Sequence, residues 1–150
     1  MKFLSYDIVF QEIPDEVTLA INISNCPNRC EGCHSPHLHE NIGEELTESV
    51  LSDLINIYSN AITCVCFMGG DRAPGDVFRL AKFARQFKKK TAWYSGYYKL
   101  YKNAQHYFDY IKVGAYMIEL GGLHSPMTNQ RFYRIENETM VDITDKFYRK

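Results

Sequence analysis

The chain has 150 residues, of which 45% are hydrophobic and 23% are charged, a composition typical of an ordinary soluble globular protein. This length suits one hydrophobic core, so we expect a single domain over residues 1–150. The net charge of −1 and the lack of any apolar run near the roughly 18 residues of a membrane span argue against nucleic-acid and membrane partners.

The chain opens with two extended runs, over residues 3–10 and 17–24. Residues 1–16 lack the apolar segment of a signal peptide, which predicts a cytoplasmic location. In the second run apolar residues alternate with polar or smaller ones, as in a strand. The turn signal Pro14-Asp15 lies between the runs and allows either a β-hairpin or a change of strand position.

Helices and strands alternate in the middle of the chain. Thr47 is a candidate N-cap of the first helix, and apolar residues recur at helical spacing in both long helices. The predicted elements are helices over 46–60 and 74–90, strands over 62–71, 91–97 and 108–114, a weak helix over 98–106, and a terminal hairpin over 131–144 with its turn near Asn137.

Alternation of this kind predicts a parallel sheet with crossover helices. The units are too few to close an eight-stranded barrel, which takes about 250 residues. We therefore expect an α/β fold that forms an open, partial (βα) barrel, with a mostly parallel curved sheet and short terminal β-hairpins.

Three cysteines, Cys26, Cys30 and Cys33, follow the strand over residues 17–24 in the segment "NCPNRCEGCH". Thiolates bind both zinc and iron–sulfur clusters. A structural zinc site requires four protein ligands, and His34 or His37 could supply the fourth. A disulfide framework is not expected, because the cysteine count of five is odd and cytosolic thiols stay reduced.

The unusual segments all follow predicted strands. "MGGD" follows the strand that contains Cys64 and Cys66, and "YSGY" follows the next one. Parallel α/β folds bind ligands beyond the carboxyl ends of their strands, so these segments and the cysteine loop should converge on one site. Cys64 and Cys66 alternate within an apolar strand and are interpreted as small hydrophobic residues.

The spacing Cys-x3-Cys-x2-Cys, followed by Gly69-Gly70-Asp71, resembles radical S-adenosylmethionine (radical SAM) enzymes. The resemblance implies a partial barrel of the radical SAM type. It also implies a 4Fe-4S cluster with three cysteine ligands and one open iron that SAM chelates. "CEGCHSP", "YSGY" and "ELGGLHSPMTNQRFYRI" further resemble the activating enzymes of anaerobic (class III) ribonucleotide reductase, a likeness that covers about residues 5–136.

This resemblance implies a glycyl-radical activase. An external electron donor such as a flavodoxin reduces the cluster, and SAM is cleaved to methionine and a 5′-deoxyadenosyl radical. That radical takes a hydrogen atom from a glycine near the C-terminus of the large reductase subunit, the protein partner. In this role Cys26, Cys30 and Cys33 ligate the cluster. The residues implied to contact SAM are Gly32, Cys33, His34, Gly69, Gly70, Asp71, Ser95 and Gly96.

Two other functions remain open from the sequence. One is a radical SAM activase of another glycyl-radical enzyme. The other is a small zinc-stabilised binding module that uses the three cysteines with His34 or His37. The run Asn129-Gln130-Arg131 is typical of the reductase activases, and its polar side chains would bind the partner, brace the site or form a structural hydrogen-bond cluster.

Overall fold

The computed structural model describes residues 1–28 and 36–148 of the protein. The described chain contains eight strands and two α-helices. The strands are β1 (Lys2–Val9), β2 (Thr18–Ile23), β3 (Glu44–Glu45), β4 (Cys64–Met68), β5 (Lys90–Tyr94), β6 (Tyr110–Val113), β7 (Arg131–Glu136) and β8 (Thr139–Asp142). The helices are α1 (Glu48–Tyr58) and α2 (Pro74–Arg85), with short 3-10 turns at Pro36–His39, Ala104–His106 and Thr144–Phe147.

All eight described strands form one mixed sheet in the order β3-β1-β2-β4-β5-β6-β7-β8. The pairings β2–β4, β4–β5 and β5–β6 are parallel. The pairings toward both edges of the sheet are antiparallel. The prediction of an open, partial (βα) barrel of the radical SAM type with a mostly parallel curved sheet is therefore wrong.

The missing crossover helix has a local cause. Within residues 98–106 only Ala104–His106 is helical, as a single 3-10 turn that follows Asn103 at a φ of 68°. The aromatic side chains of this region pack against neighbouring elements instead of forming a helix face: the Tyr101 ring stacks on Trp93 at 5.0 Å, and Tyr107 stacks on Phe78 at 5.0 Å. Aromatic packing against the core thus outweighs the weak helical pattern.

α1 lies within the predicted helix over 46–60, and α2 starts at the predicted residue but ends at Arg85, because Lys90 already belongs to β5. Thr47 caps α1 by accepting a hydrogen bond from the Val50 amide at 3.1 Å. Pro74 starts α2, a position at which the missing amide hydrogen carries no penalty. Both helices bury their apolar stripes in the larger hydrophobic core, which also contains Phe67 and Trp93 from the sheet.

The opposite face of the sheet is covered without α-helices in the described chain. Ile13, Leu123, Ile143 and Phe147 pack there against inward-facing strand residues that include Cys66. Irregular segments and a 3-10 turn therefore build the second core, in place of the helices of a doubly wound fold.

Two hairpins frame the sheet. β1 and β2 pair antiparallel, so the first run of the chain forms a hairpin with the second. β7 and β8 also pair antiparallel, and Asn137 and Glu138 turn between them at φ values of 49° and 66°. This left-handed pair is the conformation of a tight hairpin turn and lies where the sequence predicts it. In the described residues no helix is long and apolar enough to span a membrane.

Candidate functional site

The carboxyl ends of the four parallel strands β2, β4, β5 and β6 meet at one edge of the sheet. Segments that follow these strands line a cavity of about 200 Å³ there. The lining includes Cys26, Asn28, Gly69, Asp71, Gly96 and Lys112. The structure thus brings together several of the residues that the sequence singled out, because parallel strands place their carboxyl ends side by side.

Cys26 is fixed at the neck of the cysteine loop. Its amide donates to the Leu38 carbonyl at 2.9 Å, and the Asn25 amide donates to the Glu40 carbonyl at 2.8 Å. These two hydrogen bonds close the loop and leave the half-buried Cys26 thiol on the cavity wall. The predicted site residues Cys30, Gly32, Cys33 and His34 lie outside the described residues.

The Gly69-Gly70 turn is built for close packing. Gly69 and Gly70 adopt φ values of 109° and 101°, which disfavour any residue with a Cβ. The Gly69 carbonyl accepts a hydrogen bond from the Trp93 indole at 2.7 Å, and its amide donates to the Tyr94 carbonyl at 3.0 Å. Gly69 lines the main cavity, whereas Gly70 lines a neighbouring cavity of about 240 Å³.

Gly70→Ala should lower the free energy of unfolding by about 1–3 kcal/mol, because overpacking and backbone strain act together. An added Cβ would lie 2.5 Å from the Val77 side chain at a left-handed φ. Gly75→Ala is the matched control, since nothing lies within 4 Å of its added Cβ and a helical alanine is favoured over glycine. Urea denaturation measures the free energy of unfolding of both variants. Equal values for Gly70→Ala and Gly75→Ala would contradict the close packing described at Gly70.

Asp71 is the centre of a hydrogen-bond network. Its Oδ1 accepts from the Ser95 hydroxyl at 2.5 Å and from the Tyr101 hydroxyl at 3.1 Å. Its Oδ2 accepts from the Gly96 amide at 2.7 Å and from the Asn28 carboxamide at 2.9 Å. A carboxylate offers about four acceptor positions, so these four donors use its ordinary capacity. Asp71 therefore ties the cysteine loop to the ends of β4 and β5.

Ser95 and Gly96 both donate hydrogen bonds to the Asp71 carboxylate. Ser95 is 1% exposed, and its hydroxyl is held on Asp71. A Cβ on Gly96 would collide with the Asn28 carboxamide, so the absence of a side chain there makes room for Asn28. The sequence predicts that both residues touch SAM. In the structure Gly96 lines the cavity, and both residues hold Asp71.

The network also affects Tyr101. Burial, and then the charge and hydrogen bond of Asp71, raise the pKa of the Tyr101 phenol above its ordinary value near 10. The folded state therefore keeps a proton that the unfolded chain releases. The stability that neutral Tyr101 contributes is fully present below about pH 10 and is lost as the pH rises above that value.

Lys112 is a functional candidate that the sequence analysis missed. Its side chain is only 8% exposed, and its ammonium donates to the carbonyls of Ser95 at 2.8 Å and Gly114 at 3.1 Å. It lines both the main cavity and an adjoining cavity of about 380 Å³, which also share Tyr94 and Gln130. The only signal in the sequence is a lysine inside the apolar strand "YIKV". The Lys112 ammonium places a positive charge on the wall that the two cavities share.

Two further cavity residues carry no sequence signal beyond their place in the cysteine loop. The Nε2 atom of His39 is buried and has no hydrogen-bond partner in the described chain. A buried ring nitrogen without a partner is expected to face a ligand or water, and His39 lines the main cavity. Asn28 donates to Asp71 and also lies with its Nδ2 3.8 Å from the Cys26 sulfur.

The Asn129-Gln130-Arg131 run braces the end of β6. Asn129 donates to the Ala115 carbonyl at 3.1 Å, and Gln130 donates to the Gly114 carbonyl at 3.2 Å. Gln130 also lines both cavities, whereas Arg131 forms a loose ion pair with Asp142. Asn129 and Gln130 therefore support the segment after β6, in which Ala115 lines the main cavity.

Cys64 and Cys66 are fully buried in the second core, as small hydrophobic residues should be. Burial raises the pKa of both thiols, so they stay protonated near neutral pH. The described residues contain no group of three histidine, cysteine or acidic side chains that would hold a metal ion.

A family model described as a 4Fe-4S single cluster domain matches residues 17–116, two thirds of the chain. The chain belongs to this family. No curated protein and no solved structure matches it. The matched residues include Cys26, the Gly69-Gly70-Asp71 turn and the end of β5, so the matched region contains the lining residues of the cavity except Gln130. The protein is accordingly an iron–sulfur protein of the 4Fe-4S type, a class compatible with redox enzymes.

Cys26, the one candidate cysteine ligand of the loop that the structure describes, is compatible with a cluster at this edge. Cys26 presents a thiol on the cavity wall, and an amide hydrogen of Asn28 is directed at its sulfur. His39, whose Nε2 has no hydrogen-bond partner among the described residues, lines the same cavity. Thiolate ligands with hydrogen bonds to sulfur are typical of iron–sulfur sites in proteins.

Proposed function

We propose that the protein is a radical SAM activase that generates the glycyl radical of anaerobic ribonucleoside-triphosphate reductase. Cys26, Cys30 and Cys33 hold the 4Fe-4S cluster and leave one iron open to SAM. The bound cluster supplies the electron that cleaves SAM reductively. The chain's own residues bind and orient SAM and exclude water.

The observation that carries this proposal is the convergence of Cys26, Gly69 and Gly96 on one cavity at the carboxyl ends of the parallel strands. These residues come from three separate segments, and each belongs to a motif that resembles the reductase activases. The membership in a 4Fe-4S family supports the same chemistry. The main cavity of about 200 Å³ and the adjoining cavity of about 380 Å³ share lining residues, among them Lys112. Together they lie in the range of small-molecule sites, about 300–1,000 Å³.

The SAM methionine group has one positive and one negative end, and the cavity has groups for both. Lys112 offers a buried ammonium to the carboxylate, since charge-assisted pairs are the strong ones. In this proposal the Gly69 backbone, which lines the main cavity, faces the amino group. Asp71, whose acceptor positions are already used by four donors, contributes by holding Asn28 and Gly96 in place. Gly32, Cys33 and His34 would complete the site from the cysteine loop. Ser95 and Gly96 support it through Asp71.

The proposal includes partners and a location. The protein substrate is the large reductase subunit, whose C-terminal glycine loop must reach the cavity, and an external donor such as a flavodoxin supplies the electron. A cytoplasmic location suits free thiolates, because that compartment keeps cysteines reduced. Neither nucleic acid nor a membrane is required.

Anaerobic reconstitution tests the proposal. Roughly four irons and four sulfides per chain, an electron paramagnetic resonance (EPR) signal perturbed by SAM, and formation of 5′-deoxyadenosine under reduction would support radical SAM chemistry. Radical formation on the reductase, with none on pyruvate formate-lyase, would support the partner. A cluster without SAM cleavage would refute the proposal. Stoichiometric zinc without iron uptake would favour the zinc-stabilised binding module.

A further inference from the structure

The Asn28 side chain lies between two groups of the site. Its Nδ2 atom is 2.9 Å from Asp71 Oδ2 and 3.8 Å from Cys26 Sγ. A carboxamide nitrogen has two hydrogens, so it can donate to both acceptors at once. The stronger bond to the carboxylate fixes the direction of the weaker one to sulfur. Asn28 is not one of the cysteines of the Cys-x3-Cys-x2-Cys motif, and the proposed function assigns it no role.

The surroundings of Asn28 hold it in this position. Asp71 is itself fixed by Ser95, Gly96 and Tyr101, so it is a rigid acceptor. Gly96 lacks the Cβ that would occupy the place of the carboxamide. A side chain that is anchored at one end and sterically accommodated at the other can direct a hydrogen bond at a sulfur atom with a defined geometry.

We propose that Asn28 sets the reduction potential of the cluster through an N–H···S hydrogen bond to Cys26, with Asp71 and Gly96 holding the donor in place. The inference rests on the proposed function in one respect, that Cys26 is a cluster ligand. It makes Asn28 a positioning residue that acts through Cys26.

The sign of the effect follows from charge. Reduction adds one negative charge to the cluster and its thiolates, and a hydrogen-bond donor stabilises the more negative state. Hydrogen bonds to sulfur are one of the levers that set iron–sulfur potentials. The amide donor therefore raises the potential, and its removal makes the cluster harder to reduce.

Redox titration followed by EPR, in the absence of SAM, tests this inference. Asn28→Ala should reduce the ratio of reduced to oxidised cluster about tenfold at a fixed solution potential. This corresponds to a midpoint potential about 59 mV more negative for a one-electron couple. Gly96→Ala should shift the potential in the same direction, because its Cβ displaces the carboxamide and leaves Asn28 unchanged.

Asn56→Ala is the matched control, since Asn56 is exposed on α1 and bonds only to Ser52 among the contacts described. It should leave the potential unchanged. If Asn28→Ala takes up no iron, the potential of Gly96→Ala decides the matter. Wild-type potentials in every variant that holds four irons would overturn the inference.

The outcome separates this inference from the proposed function. Lowered potentials in a protein that never cleaves SAM would support the role of Asn28 and refute the activase. Unchanged potentials in variants of a protein that cleaves SAM would support the activase and overturn the role of Asn28. Absence of iron from the wild-type protein would overturn both.

Discussion

Cys26→Ala is expected to remove the 4Fe-4S cluster and, with it, SAM cleavage, while the fold remains. Changes in groups that merely support a metal ligand typically lower affinity about 10–100-fold, so loss of a ligand should exceed this. The thiol is half-buried on the cavity wall and lies outside both hydrophobic cores. The neck of the loop is held by the Cys26 backbone amide, which the substitution keeps. Iron analysis and thermal unfolding of the same samples measure the two effects.

Cys66→Ala provides the converse control. Cys66 is fully buried, so losing its sulfur should lower the free energy of unfolding by about 1 kcal/mol and leave the iron content at the wild-type level. Four irons in the Cys26→Ala protein would exclude Cys26 as a ligand. Loss of iron from Cys66→Ala without unfolding would show that the second core takes part in the site.

Asp71→Ala is expected to have the second largest effect, because it leaves four donors without their common acceptor. Hydrogen bonds to charged groups contribute about 1.5–3 kcal/mol each, but they are not additive here and the freed donors can reach water. We expect the free energy of unfolding to fall by about 2–3 kcal/mol. SAM binding should weaken roughly tenfold or more through the displaced Asn28 and Gly96. Urea denaturation and equilibrium binding of SAM measure these two quantities.

The isosteric Asp71→Asn keeps one accepting oxygen. Its free energy of unfolding and its SAM affinity should lie between those of the wild-type protein and of Asp71→Ala. Asp53→Ala is the matched control, since Asp53 is exposed on α1 and should change stability by no more than about 0.5 kcal/mol. An Asp71→Ala protein with wild-type SAM affinity would remove Asp71 from the binding site. One with wild-type stability as well would contradict the network described above.

The helices and most strands could be predicted from neighbouring residues alone. Thr47 as an N-cap, Pro74 at the start of α2 and the turn at Asn137 are local signals, since caps and turn conformations depend on a few adjacent residues. The segments around the site were also recognisable, because cysteine spacing and Gly-Gly turns need no partner to be seen. The 4Fe-4S family follows from the same stretch of sequence.

The fold class was missed because it depends on pairings that no local pattern encodes. β1 and β7 could have joined the sheet in either direction, and tertiary packing made both antiparallel to their inner neighbours. The helix predicted over 98–106 is not formed, because Tyr101 stacks on Trp93 instead. This contact exists only in the folded chain. A periodic pattern reports which face of a segment is apolar and does not report its partner.

The sequence by itself determined that this chain has a cysteine motif at the end of a strand, two amphipathic helices and a terminal hairpin. Only the tertiary structure decided that the sheet is mixed and that Asn28, Asp71 and Lys112 line the same cavity as Cys26. The reason is physical: caps and periodicity act within a few residues, whereas hydrogen bonds such as that from Asn28 to Asp71 join segments that lie far apart along the chain.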